Sequence, residues 1–122
     1  MYTLDTNPIV YYAKDETTVI GPLEALIVSS PIYVSTVTEI ELFSSLDIPQ
    51  SGEERINRLL RELLIVPLDS QIARIAARLR RECGLKLPDS AIAATALFTG
   101  STLVTRNVRD FKRVPMLAIE KI

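Results

Sequence analysis

The chain has 122 residues, 48% of them hydrophobic, and a formal net charge of −1. This length predicts one domain spanning residues 1–122 with an ample core, and the small net charge indicates no overall affinity for polyanions. The sequence contains no histidine and one cysteine, Cys83. These counts exclude Ser-His-Asp and Cys-His catalysis, histidine-ligated zinc and an intrachain disulfide. No membrane-length apolar run or signal-peptide pattern is present, so we expect no membrane association and a cytoplasmic location.

The charges are distributed unevenly along the chain. Residues 1–71 carry 4 Lys/Arg and 11 Asp/Glu, whereas residues 72–122 carry 10 and 4. This asymmetry fits an acidic pocket beside a basic surface, and it equally fits two halves that attract each other in the fold.

The first third of the chain predicts strands followed by helices. Residues 1–4 are short, apolar and β-prone, and they lead directly to Asp5. Turn-forming residues at 6–8 predict a helix start, and a further helix is expected over 22–29. Residues 31–35 indicate a second buried strand. Asp5 therefore falls at the carboxyl end of a strand, where open α/β sheets bind ligands.

A helix is expected over residues 36–43, with Thr36 as its candidate cap. Three- and four-residue spacing predicts that Glu41 lies near its inner face, whereas Glu39 points elsewhere. The residues expected on that inner face are Val37, Ile40, and Phe43 or Ser44.

Two amphipathic helices should follow. The S-x-x-E pattern of Ser51–Glu54 is a capping box that opens the first of them, and residues 65–68 form a short strand or an extended link. The second helix is capped by Asp69 or Ser70 and ends at Gly84. It carries arginines at helical spacing, which are a solvated face or a basic ledge for a nucleic-acid backbone or an acidic partner. These arginines are Arg74, Arg78 and Arg81, with Arg80 beside them.

A central helix is expected after Pro88, because residues 91–97 are small and apolar almost all round. Asp89 lies at the N-terminal end of this helix, with no cation beside it in sequence. Two interpretations remain open at this point: Asp89 is an acidic helix cap, or it holds a metal ion.

The last part of the chain predicts a strand over 101–105, a loop over 106–111 and an edge strand over 116–119. Strands that alternate with helices indicate an α/β fold of three layers, in which helices flank a central, mostly parallel sheet of about four to five strands.

Acids or their amides follow several of these predicted elements. In a parallel sheet the strand ends share one edge, so we expect these side chains to gather there. Hard oxygen ligands without histidine or cysteine suit Mg²⁺ or Mn²⁺, which activate water for hydrolysis of phosphate esters. The residues concerned are Asp5, Glu41, Asp89, Asn107 and Asp110.

The chain resembles the PIN-domain family, and within it the VapC-type toxins of toxin–antitoxin pairs. The matching segments occur in family order at residues 4–7, 35–42, 89–96 and 103–107, the last followed by 110–111. The resemblance implies a PIN-like fold, a metal-dependent ribonuclease, a homodimer, and an antitoxin partner whose peptide covers the site.

Asp5, Glu41 and Asp89 match three acidic metal-site positions of that family, and Glu41 is preferred because it lies six residues after Ser35. The fourth acidic position often falls where this chain has Asn107. That departure should weaken a second metal site, and Asp110 is a candidate for the missing charge. Thr6 and Thr105 match hydroxyls that orient ligands or water.

A group of basic residues follows the strand predicted over 101–105 and completes the candidate site. These residues would bind RNA phosphates, or they are only part of a solvated loop. Its members are Arg106, Arg109, Lys112 and Arg113.

Two other functions are kept as alternatives. Asn107 favours a catalytically weak PIN-like module that acts only through a protein partner. A phosphotransfer domain with Asp5 as nucleophile is disfavoured, because haloacid-dehalogenase-like phosphatases need a second Asp where this chain has Asn7.

Overall fold

The computed structural model describes residues Met1–Ile122, which form five strands and seven helices. The strands are β1 (Tyr2–Leu4), β2 (Ile32–Ser35), β3 (Leu64–Val66), β4 (Thr102–Thr105) and β5 (Ile119–Lys121). The helices are α1 (Thr6–Ala13), α2 (Thr17–Ser29), α3 (Thr36–Ser44), α4 (Gln50–Leu60), α5 (Ser70–Cys83), α6 (Leu87–Thr99) and α7 (Val108–Phe111).

All five strands are parallel and form one sheet in the order β3-β2-β1-β4-β5. Leu4 at the end of β1 is aligned with Val34 of β2 on one side and with Val104 of β4 on the other. Asp5, Ser35 and Thr105 therefore come next to each other at the carboxyl edge of the sheet. This architecture confirms the expected α/β fold.

Two apolar clusters pack against the sheet. One is built largely from α1, α2 and α4, and the other from α5, α6 and the segment after β4. Helix α6 is the most deeply placed, with every residue from Ser90 to Ala96 buried. The prediction of a central helix that is buried on all sides is confirmed.

Several helix starts differ from those expected. Helix α2 begins at Thr17 rather than near Pro22, because the carbonyl of Glu16 accepts the first N–H groups. The capping box at Ser51–Glu54 does not form: the carbonyl of Pro49 accepts from Gly52 and Glu53 at 2.8 and 3.1 Å, and α4 has no side-chain cap. Ser35, not Thr36, caps α3 through the N–H of Val37 at 3.1 Å.

The inner face of α3 was also predicted wrongly. Thr38 and Leu42 are buried, whereas Ile40 is 68% exposed and Phe43 is 46% exposed. The buried pair is spaced by four residues, and burial of the Thr38 hydroxyl is tolerated because it is hydrogen-bonded. An apolar stripe on a helix is therefore left at the surface.

The final strand lies three residues later than expected. Met116 adopts a positive φ of 68°, which places it in a turn rather than a strand. The chain then pairs with β4 from Ile119 onward. No helix in the structure has the length and apolar character needed to cross a membrane.

Candidate active site

Asp5 lies at the centre of the carboxyl edge, directly after β1, and is 5% exposed. Its two carboxylate oxygens accept hydrogen bonds from the N–H of Thr6 at 2.8 Å and from the hydroxyl of Thr105 at 2.7 Å. Burial raises the pKa of Asp5, and the charge of Glu41 adds to that effect, while the two hydrogen bonds oppose it. The structure thus holds a carboxylate in place at an electrostatic cost.

Glu41 joins this group through Thr6. The Thr6 hydroxyl donates to Oε1 of Glu41 at 2.6 Å and lies 3.2 Å from the hydroxyl of Thr38. Residue 6 therefore contacts Asp5 through its backbone and Glu41 through its side chain. The structure places Glu41 near Asp5, on the side of α3 that carries the buried Thr38 and not with the exposed Ile40 and Phe43 that the sequence grouped with it.

Asp89 occupies the first turn of α6 and is half-buried. The N-cap of this helix is Lys86, and Asp89 makes no capping hydrogen bond, so its interpretation as a helix cap is wrong. Burial raises its pKa to about 6, with further contributions from the charges of Asp5, Asp110 and Glu41. Asp89 is thus an acidic group with acidic neighbours, and no donor in the fold forms a hydrogen bond to its carboxylate.

Asn107 and Asp110 contact each other rather than Asp5. The Asn107 amide donates to Oδ2 of Asp110 at 2.9 Å, and its carbonyl oxygen accepts from the Asp110 N–H at 3.4 Å, which caps α7. Arg113 donates to Oδ1 of Asp110 at 2.8 Å. The hydrogen bond from Asn107 and the contact with Arg113 hold the pKa of Asp110 below its usual range.

Asn107 is also tied to the carboxylate of Asp5 through Thr105. The Thr105 hydroxyl accepts from the Asn107 N–H at 2.9 Å and donates to Oδ2 of Asp5. This chain of hydrogen bonds fixes the loop after β4 relative to the end of β1.

The donor chemistry of Asp5, Glu41 and Asp89 fits a hard divalent cation, because the group is acidic and has only oxygen ligands. Burial first, and then repulsion between neighbouring carboxylates, raise the pKa values of Asp5 and Asp89. No three acidic or cysteine side chains are already arranged to enclose an ion. To bind an ion, Asp5 would have to share oxygens that now accept from Thr6 and Thr105, whereas Oε2 of Glu41 accepts no hydrogen bond.

Of the four residues in the predicted basic group, two have partners within the fold and two do not. Arg106 is occupied within the fold: it pairs with Glu16 at 3.1 Å, stacks over the Tyr11 ring at 4.4 Å, and donates to the carbonyl of Ile122 at 3.2 Å. Arg113 is likewise engaged. Arg109 and Lys112 are exposed and have no ion-pair partner.

Sequence reasoning missed a cavity of about 850 Å³ between α1, α2 and α4, which contains none of the candidate acids. Its apolar lining includes Tyr12, Ile27 and Leu59, and Val28 on its border is 88% exposed. The one available signal was α2, which is mostly apolar without a clear polar face.

Residues 2–117 match the profile of the PIN domain family. The chain belongs to the PIN domain family. This PIN domain is 31% identical to ribonuclease VapC2 of Rickettsia felis, over an alignment that covers 98% of this chain and 96% of that protein.

Several solved structures are similar to this PIN domain over nearly their full length. VapBC2 of Rickettsia felis, bound to a promoter DNA fragment, matches with a TM-score of 0.84 at 27% identity, covering 99% of this chain and 98% of that one. A toxin–antitoxin complex from Klebsiella pneumoniae matches with a TM-score of 0.82 at 29% identity and complete coverage of both chains. FitAcB of Neisseria gonorrhoeae matches with a TM-score of 0.79 at 27% identity, covering 98% and 96%.

Proposed function

We propose that this PIN domain is a metal-dependent endoribonuclease and the toxin of a toxin–antitoxin pair. The observation that carries the proposal is Asp89, a half-buried carboxylate that has no hydrogen-bond donor and lies within electrostatic reach of Asp5 and Glu41. Such an arrangement is costly in the free protein and is relieved by a cation. The similarity to a VapC2 ribonuclease supports RNA as the substrate.

Asp5, Glu41 and Asp89 would hold Mg²⁺ or Mn²⁺, and Asn107 is a candidate for a weaker second position. A bound ion of this kind lowers the pKa of water and offsets charge on the phosphate. The chain's own contribution is placement: Thr105 and the Thr6 N–H hold the carboxylate of Asp5, and the Thr6 hydroxyl holds Glu41. With a pKa of about 6, Asp89 is largely ionised at neutral pH.

A matched pair of variants tests the assignment of Glu41. Both Glu39 and Glu41 lie on α3, and only Glu41 contacts Thr6. We expect Glu41→Gln to lose about 100-fold or more in RNA cleavage with Mn²⁺, because a carboxylate that would hold the ion is lost. Glu39→Gln should cleave at nearly the wild-type rate. Equal rates for the two variants would exclude Glu41 from the site.

We also propose an antitoxin as the protein partner, because the similar structures are toxin–antitoxin complexes. We place the contact at the cavity between α1, α2 and α4, where a segment of the antitoxin would pack against apolar side chains. Charged residues, Glu54 and Arg58 among them, lie at the rim of this cavity. Val28→Asp should therefore weaken complex formation at least tenfold while RNA cleavage by the free toxin is kept. Unchanged affinity for the antitoxin would place the contact elsewhere.

A homodimer is the expected state of the free protein. Large apolar side chains remain exposed on α3, on β3 and beside them, and the Thr36 hydroxyl accepts from the Leu68 N–H at 3.1 Å, which ties these segments together. Exposed apolar side chains grouped on neighbouring segments are typical of an interface. The residues are Ile40, Phe43, Leu64, Ile65 and Leu68. A monomeric mass by light scattering at micromolar concentration would contradict this expectation.

One alternative function has a specific observation in its favour. Asn107 is neutral, and the carboxylate of Asp110 is engaged by Asn107 and Arg113. The loop after β4 therefore offers no free carboxylate as a metal ligand, although the charge of Asp110 still acts on Asp89. A catalytically weak module that acts through its partner fits this loop. It predicts antitoxin binding without metal-dependent RNA cleavage by the purified protein.

A further inference from the structure

Helix α5 presents a row of unpaired arginines. Arg74, Arg78 and Arg81 are separated by four and three residues, which places them on one face of the helix. All three are exposed. The chain's three ion pairs involve other arginines, so these guanidinium groups have no acidic partner within the fold.

Both ends of α5 are tied to residues that follow strands. The N–H of Leu68, just before the helix, donates to Thr36, which directly follows β2. At the other end, Arg113 donates to the carbonyls of Cys83 and Gly84 at 3.4 Å. Arg113 also pairs with Asp110 in the segment after β4. The helix is thus anchored to the edge of the sheet that carries the acids.

Positive charge continues from the acidic group to this row. Lys86, the N-cap of α6, is close enough to act on the charge of Asp89. Five residues before it in the chain is Arg81, and Arg74 lies a further seven residues back, about 10 Å along the helix axis. That length accommodates two or three phosphates of a nucleic-acid strand.

The surface of α5 suits a nucleic-acid backbone better than a protein. Interfaces between proteins are enriched in aromatic side chains and methionine as well as in arginine, so an arginine row that binds a protein should have large apolar side chains beside it. No large apolar side chain of α5 is strongly exposed, and the exposed residues beside the arginines include the small Ala73 and Ala77. A second copy of the same basic row would be repelled.

We propose that Arg74, Arg78 and Arg81 bind consecutive phosphates of an RNA strand whose reacting phosphodiester lies at Asp5 and Asp89. This inference rests on the proposed ribonuclease function and extends it, because it assigns the path of the substrate outside the acidic group. The arginines hold the strand through its backbone, so they confer affinity without sequence preference.

The test measures binding of a short, labelled single-stranded RNA as a function of salt, in the Asp5→Asn background so that no turnover occurs. Each phosphate contact to single-stranded nucleic acid contributes about −0.7 to the slope of log K against log salt. Replacing Arg74, Arg78 and Arg81 by glutamine should therefore make the slope less negative by about 2. Between 50 and 200 mM salt, the affinity of the parent should fall about 20-fold more than that of the variant.

The matched control removes three exposed, unpaired positive charges that do not belong to this row: Lys14, Arg61 and Arg80. Its slope should stay close to that of the parent. An equal change in both triple variants would overturn the proposal, because it would indicate a net-charge effect. An unchanged slope in the α5 variant, or a changed oligomeric mass, would also overturn it.

Failure of the proposed function gives a different result. Suppose that the wild-type protein cleaves no RNA with Mn²⁺, but the α5 variant binds RNA more weakly and with the less negative salt slope expected. The proposed nuclease function is then wrong, and the proposed RNA path is supported. If the wild type cleaves RNA and the slope does not change, the RNA path is wrong and the nuclease stands.

Discussion

Removal of the Asp89 charge should stabilise the metal-free protein. The pKa of Asp89 rises from 3.8 to about 6, chiefly through burial, which means that folding disfavours its ionised form. A change of that size corresponds to about 3 kcal/mol, and solvent screening at a half-buried carboxyl reduces this to about 1–2 kcal/mol. Asp89→Asn should therefore raise the free energy of unfolding by that amount at neutral pH, and Tm by about 3–8 °C.

The pH dependence provides a second readout of the same charge. Because the folded pKa lies above the unfolded value, the stability associated with protonated Asp89 is present below about pH 4 and is lost as the pH rises through about 6. The stability difference between Asp89→Asn and the wild type should grow over this range and then level off.

The assay is urea denaturation in chelator, with and without added Mg²⁺. Mg²⁺ should stabilise the wild type and have little effect on Asp89→Asn, because ligand binding stabilises only the form that binds. Asp47→Asn is the control: Asp47 is exposed and unpaired, so its stability should change by less than about 0.5 kcal/mol. A metal-free Asp89→Asn protein that is less stable than the wild type would refute the reasoning.

Three further outcomes are expected. RNA cleavage by the wild type should stop in EDTA and resume when Mg²⁺ or Mn²⁺ is restored, and undiminished cleavage in EDTA would contradict a metal site. Asn107→Asp should tighten binding of a second Mn²⁺ in calorimetric titration, whereas an unchanged stoichiometry and affinity would remove Asn107 from the site. Arg106→Gln should lose about 1–3 kcal/mol of stability in urea, because its contacts with Tyr11 and the Ile122 carbonyl disappear, whereas Arg109→Gln should change little.

Local signals predicted the elements that depend on neighbouring residues. Asp69 caps α5 by accepting from the Ile72 N–H at 2.9 Å, and Gly84 ends that helix with a positive φ of 69°. Both features arise within a few residues of chain, so the sequence was sufficient to predict them. The buried central helix is similar, because a segment without a polar face has only one stable environment.

The predictions that were wrong are those in which contacts with other parts of the chain override the local sequence pattern. The capping box at Ser51 was a sound local pattern, but the chain at Pro49 already supplies a carbonyl for the first N–H groups of α4. The apolar stripe of Ile40 and Phe43 has the correct helical spacing, yet Leu42 and Thr38 occupy the buried side. Which of two possible faces is buried depends on neighbouring elements, and periodicity within one helix does not specify it.

The candidate site was predicted in part. Parallel strand ends placed Asp5 and Thr105 together, as expected from topology. The role of Arg106 in joining Tyr11, Glu16 and Ile122 required the tertiary structure, because these residues are far apart in sequence. The cavity between α1, α2 and α4 is likewise a property of how three helices meet.

The most direct test of the metal-dependent nuclease compares wild type and Asp5→Asn, purified identically, for RNA cleavage over a Mn²⁺ titration, with circular dichroism to establish folding. Asp5 is the buried acid on which the hydrogen bonds of Thr6 and Thr105 converge. Wild-type cleavage should rise and saturate with Mn²⁺, whereas folded Asp5→Asn should show none at any concentration. Cleavage by Asp5→Asn at the wild-type rate, or a wild-type rate independent of Mn²⁺, would contradict the account.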